Sequence, residues 1–220
     1  AGRFIPLKRI HGSGDLRSFL DDVAPLLHRP EHTKAVQYCL SETIRNVFEH
    51  AGGQPAYACA QYYESARRVS IGVADCGIGV RTSLSRHLKL SSDAEALMNA
   101  LVPGTTGAPR GMYGPSENAG VGLFFTKSIA KASGQYFAII SGDAAYRLRH
   151  LRRSDKFRLY VDPRKDRHDL FEGLPSWQGT VVAVDIGLRR TLNFEATMNS
   201  IREAIVPEHA RKVTPRVKFT

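Results

Sequence analysis

The stretch between Pro30 and Gly52-Gly53 constrains the fold more than any other part of the chain. Its apolar residues Val36, Leu40, Ile44, Val47 and Phe48 recur at helical spacing, which predicts one long helix from about Glu31 to Ala51. The glycine pair ends it, because glycine adopts the left-handed turn that closes a helix. Ala56 to Tyr63 and Val69 to Ala74 then read as two strands of a hairpin, Val69, Ile71 and Val73 alternating with small residues. Arg3 to Ile10, Tyr136 to Ser141, Ala145 to Leu151, Phe157 to Val161 and Thr180 to Ile186 read as further strands. The expected class is therefore α/β, with a mostly antiparallel sheet.

The remaining helices are shorter. Asp15 is the expected N-cap of one running to Leu27, with Pro25 a late interruption and Arg29-Pro30 its stop. Ser83 to Leu101 reads as helical in pieces, Gly120 to Ala132 as a helix closed by Ser133-Gly134, and Thr191 to Ile205 as the last helix. Pro103 to Asn118 is rich in Gly, Pro, Ser and Thr and has no period. A structureless loop of about 15 residues inside a compact domain is usually functional or disordered. No repeat or linker divides the chain. Residues 31–190 form the expected domain, with a strand–helix extension (1–30) packed on it and a C-terminal helix and tail (191–220).

Composition excludes some classes. The 220 residues are 42% hydrophobic and 24% charged, ordinary for a globular domain. No apolar stretch approaches the roughly 20 residues of a membrane span, and no basic-then-apolar leader opens the chain, so a cytoplasmic setting is expected. Cys39, Cys59 and Cys76 are odd in number and lack metal spacing, which points to a reducing compartment. The histidines are scattered, so no zinc site is expected. A net charge of +10 is compatible with nucleic acid, acidic proteins or anionic lipid, and bears on partners rather than on fold.

Three segments carry chemistry. In the long helix Glu42, Asn46 and His50 are four apart and stack along one side; a solvated polar face is the alternative. Asp75-Cys76-Gly77-Ile78-Gly79 follows a strand, where glycine permits a sharp turn or a close ligand approach. Asp75 at the strand end could accept a hydrogen bond from an exocyclic amine; an ordinary turn is the alternative. Asn118-Ala119-Gly120-Val121-Gly122-Leu123 opens a helix, whose free N–H groups and dipole favour an anion; close helix packing is the alternative. No GxxxxGK[ST] occurs, and the spacing is wrong for a dinucleotide fingerprint.

Taken in this order, the segments resemble the boxes of the GHKL superfamily, which includes gyrase, the ninety-kilodalton heat-shock chaperones, histidine kinases and MutL. Glu42, Asn46 and His50 look like its N-box, Asp75, Gly77 and Gly79 like its first glycine box, and Gly120-Val121-Gly122-Leu123 like its second. Gly179-Thr180, leading into Val181 to Ile186, is similar to its last box. The resemblance covers about residues 35 to 187. It implies a Bergerat fold, a two-layer α/β sandwich with a mixed, mostly antiparallel sheet, helices on one face and a mobile ATP lid at Pro103 to Asn118. It also implies ATP and Mg2+ as ligands. Asn46 would bind the metal, Glu42 would act as base, Asp75 would hold the adenine amine with Gly79 and Thr180 beside it, and Gly120 and Gly122 would hold phosphates. Thr105, Thr106 and Arg110 are candidate lid contacts. Lys127 reads as an exposed lysine, and His50 either positions phosphate or water or makes a structural hydrogen bond.

Within the superfamily, no phosphoacceptor histidine is visible, and too little chain follows Ile186 for a transducer domain. What remains resembles stand-alone regulatory proteins such as the bacterial anti-sigma-factor kinases. The expectation is an enzyme that hydrolyses ATP or phosphorylates a partner protein; the alternative is a non-catalytic nucleotide-gated binding module. The basic stretch Arg147 to Arg167 reads as a solvated sheet edge rather than a phosphate-reading patch, which leaves a nucleic-acid-linked ATPase as the weakest option. A homodimer stays open.

Overall fold

The structure, a computed structural model, describes residues 3–27, 29–105, 120–150, 157–188 and 193–205. The long helix forms as its spacing predicts, as α2 (Pro30–His50). Pro30 sits in the first turn, where the missing N–H would have lacked an intrahelical partner anyway. His32, Ala35, Val36, Cys39, Leu40, Thr43, Ile44 and Val47 trace a continuous buried stripe at i, i+3, i+4, i+7, and Glu42 is buried beside it.

That stripe faces a seven-stranded sheet of β1 (Phe4–Ile10), β2 (Ala56–Tyr63), β3 (Arg68–Ala74), β4 (Phe137–Gly142), β5 (Ala144–Leu148), β6 (His168–Phe171) and β7 (Trp177–Gly187). The spatial order is β1-β2-β3-β7-β4-β5-β6, and every neighbouring pair is antiparallel. Strand alternation then decides which side chains enter the core. Ala58, Val69, Ile71, Val73, Phe137, Ile139, Tyr146, Val182, Val184 and Ile186 share one buried cluster with residues of α1 (Ser13–Val23), α2, α4 (Asp93–Ala100), α5 (Gly122–Ala132) and α6 (Phe194–Ile205). The alternate residues, such as Ala183 and Arg147, are exposed or half-buried. A short α3 (Gly79–Leu84) follows β3. The class is thus α/β, compatible with a two-layer sandwich. No helix among the described residues is long and apolar enough to cross a membrane.

Several expectations are corrected. Among the described residues the sheet is antiparallel throughout rather than mixed. Helix α1 starts at Ser13 with Gly12 as its N-cap, and the Asp15 carboxylate instead accepts from the His11 N–H at 2.8 Å. The helix stops at Val23, and Ala24–Leu26 tightens into a 3-10 turn around Pro25. Phe157 to Val161 forms no strand. The Arg158 carbonyl is taken by Lys131 Nζ, so this segment lies on α5, and the strand that pairs with β5 comes later, as β6. Lys127 is buried rather than exposed, and its Nζ is met by Asp166 from the turn before β6. Residues 191–192, 206–220 and Leu151 lie outside the described residues.

Candidate functional site

Helix α2, strands β3 and β7, helix α3 and the start of α5 enclose a cleft of about 90 Å³ that opens to solvent. Helix α2 contributes Thr43, Asn46, Val47 and His50. Asp75 and Thr180 stand side by side at the ends of β3 and β7, the Asp75 N–H donating to the Thr180 carbonyl at 2.9 Å. Gly79, Thr105, Gly120, Gly122 and Leu123 complete the ring of expected residues. Four segments far apart in the chain are therefore brought to one place.

The expected residues do not all take the same position. The i, i+4 row of Glu42, Asn46 and His50 drifts around the helix by about 40° per step, because the true period is 3.6. The cleft is centred on 43, 46, 47 and 50, which leaves Glu42 behind its wall. A Cβ at Gly122 would stand 2.6 Å from Glu42 Oε2, so glycine is required for α5 to start this close to the carboxylate. Gly77 also lies off the cleft; it packs against Ala51 at the end of α2 and donates its N–H to Asp75 Oδ1 at 2.8 Å. Val121 is the N-cap residue of α5 and packs on the core. Thr106 and Arg110 lie outside the described residues, as does the rest of segment 106–119. Its two flanks meet, the Gly104 N–H donating to the Gly120 carbonyl at 3.0 Å.

Ser141 holds the far wall. Its hydroxyl accepts from the Val80 N–H at 3.0 Å and donates to the Gly179 carbonyl at 2.6 Å, tying β4 to the start of α3 and to β7. Gly79 has φ +75° and would bring a Cβ to 3.0 Å from Ser141 Oγ, so a side chain there is disfavoured by backbone and by space alike. Trp177 adds a hydrogen bond from Nε1 to the Asp75 carbonyl at 3.2 Å. These supports gave no sequence signal. Thr43 and Val47 could have been found, since they share the helix face of Asn46.

The electrostatics follow from burial. Desolvation raises the Asp75 carboxyl above its ordinary range, and the N–H groups of Gly77 and Thr180 pull it back. Burial likewise raises Glu42, against the pull of Arg45, whose guanidinium lies 3.2 Å away. His50 is pushed down by burial and by the charge of Arg86; its Nδ1 lies 3.3 Å from Ser83 Oγ. Asn46 Nδ2 is buried with no hydrogen-bond partner among the described residues. A native buried amide donor left in this way is uncommon. Among the described residues, no three His, Cys, Asp or Glu side chains cluster as a metal site. A cation here would take most of its ligands from a bound molecule and from water. No protein-family model matches the chain, and no curated protein matches it.

Proposed function

We propose that this chain is an ATP-binding regulatory protein of the GHKL type, with a Bergerat-type arrangement of helices on an antiparallel sheet and magnesium-dependent nucleotide binding. The supporting observation is the convergence of Asn46, His50, Asp75, Gly79, Gly120, Gly122 and Thr180 on one cleft. The donor set fits such a ligand. Asp75, with Thr180 beside it, offers a hydrogen-bonding edge for an adenine amine. The glycines at the start of α5 offer backbone N–H groups and a helix dipole to phosphate, and the unpaired Asn46 Nδ2 has a donor left over for a phosphate or water oxygen. Asn46 would hold the magnesium, a hard ion content with one protein oxygen and several waters. Bound Mg-ATP would supply a transferable phosphoryl group with its charge neutralised.

In the enzymatic form of this reading, Glu42 holds the proton of an attacking water or partner hydroxyl. Burial raises its pKa, which makes it a stronger base than an ordinary carboxylate. The same residue also favours a second reading, a nucleotide-gated protein-binding module without turnover, because it sits behind Gly122 and is engaged by Arg45.

Calorimetric titration of ATP with magnesium tests the binding reading. Wild-type protein is expected to bind, and Asn46→Ala to lose the magnesium-dependent part; unchanged affinity in that variant would refute the metal role. Glu42→Ala is expected to keep binding and lose turnover. Binding by the wild type without ADP or phosphoprotein would select the gated module.

A further inference from the structure

The sheet face away from the helices carries a groove of about 560 Å³, lined by Tyr136, Ala138, Arg147, Arg149, Arg167 and Ala183, with His150, Val184 and Asp185 at its margins. Strand alternation explains it. Arg147 and Arg149 are two apart on and just after β5, so both side chains leave the same face, their Cα atoms about 6.6 Å apart along the strand. The floor is flat because Ala138 and Ala183, paired across β4 and β7, are small.

Charge on this face is in excess. Asp169 accepts from Arg147 at 2.6 and 3.0 Å and also pairs with Arg149, so one carboxylate serves two guanidiniums and stays ionised, its pKa drawn down to about 2 by Arg149 and Arg147. Asp185 is engaged by Ser70 at 2.5 Å and Arg68 at 3.2 Å. Arg167 donates to the neutral His150 carbonyl. Among the described residues, four guanidiniums thus face two carboxylates. The shared Asp169 orients Arg147 and Arg149 without cancelling them.

Aromatic faces accompany the charge. Tyr136 is 42% exposed and meets the His150 ring edge-on at 3.8 Å, and Phe171, 40% exposed, lies beneath the Arg147 guanidinium at 5.4 Å. We propose that this groove binds single-stranded nucleic acid, the guanidiniums tracking successive phosphates while bases stack on Tyr136 and Phe171. An acidic peptide would match the charge and leave both ring faces unused. The groove also lies on the face of a paired sheet, where strand addition finds no free backbone groups. This proposal does not depend on nucleotide binding in the cleft.

Fluorescence anisotropy of the whole chain with a labelled oligothymidylate of about 20 nucleotides tests it, at about 50 and 200 mM salt. Binding is expected to weaken steeply with salt. Arg147→Ala/Arg149→Ala should make the slope of log K against log salt shallower by about 1.4, two contacts at about 0.7 each. Tyr136→Ala should weaken binding about tenfold. Because the arginine changes also free Asp169, Ala183→Glu is the second variant: it puts a carboxylate on the floor without breaking an ion pair, and should abolish binding with an unchanged melting temperature. The proposal is overturned if the wild type does not bind at the lower salt. Unchanged binding by the folded Ala183→Glu variant would overturn it as well. So would polyglutamate competing as well as the oligonucleotide, which would assign the groove to an acidic protein, or equal binding of duplex and single strand, which would leave stacking without a role.

Discussion

At the scale of single residues, the placement of the cleft's side chains was legible where local periodicity alone decides it. Asn46 and Asp75 stand where their spacing and strand-end position suggested, because a helix face and a strand terminus are local properties. Glu42 shows the limit of that reasoning. The i, i+4 rule aligned it with Asn46, and only the contact between α2 and α5 shows Gly122 pressed against its carboxylate. Ser141 and Trp177, which brace Asp75 and Gly79, had no local signature, since their value lies in reaching across strands. The same scale carries a pH prediction at His50. Burial, and then Arg86, hold its folded pKa below the ordinary 6.5, so the folded state favours neutral imidazole. That stability is present above pH 6.5 and is lost as pH falls toward the folded pKa. The melting temperature of the wild type should therefore drop more steeply below pH 6.5 than that of His50→Gln. Parallel curves for the two proteins from pH 8 to 5 would refute this.

At the scale of elements, the unforeseen feature is the attachment of residues 157–167 to α5. Lys127 and Lys131, one turn apart and both buried, share Asp166, the Lys131 contact being 2.5 Å. Burial lowers the Lys127 pKa and Asp166 opposes that. The basic segment between β5 and β6 hid this arrangement, because Asp166 lies among Arg164, Lys165 and Arg167 and reads as one more surface charge. Phe157 to Val161 looked like a strand because its apolar residues alternate, yet Phe157 and Val161 stay exposed while Leu159 packs against the core. Removing one partner of a buried ion pair is costly because it strands the other charge, by about 3–5 kcal/mol. Asp166→Ala should therefore destabilise the chain by about that much in urea denaturation, a large part of a typical 5–15 kcal/mol total. Lys131→Met should cost much less, since Lys127 then keeps the carboxylate to itself and the excess buried charge is gone. Equal losses in the two variants would show that the cluster acts through packing alone.

At the scale of the whole molecule, each strand announces itself, and the order of the sheet does not. The hairpin of β2 and β3 is local and was expected, whereas β7 enters between β3 and β4 by pairings such as Val69 with Ile186, across more than half the chain. Such pairing depends on which faces are apolar together, a property of the assembled core. The N-terminal segment shows the consequence. Strand β1 is an edge strand of the common sheet, paired with β2 from Phe4 to Ile10, and Phe19 and Val23 of α1 are buried in the same core as α2. Each such side chain contributes about 1.5–3 kcal/mol by burial. Deleting residues 1–27 would bare the apolar flank of α2 and leave β2 as an unpaired edge, which other chains can extend. The truncated protein is expected to be recovered insoluble, or to elute as large species in size-exclusion chromatography with light scattering. A monodisperse, ATP-binding monomer would show instead that residues 29–205 carry a sufficient core, and that β1 and α1 are an addition to the sheet.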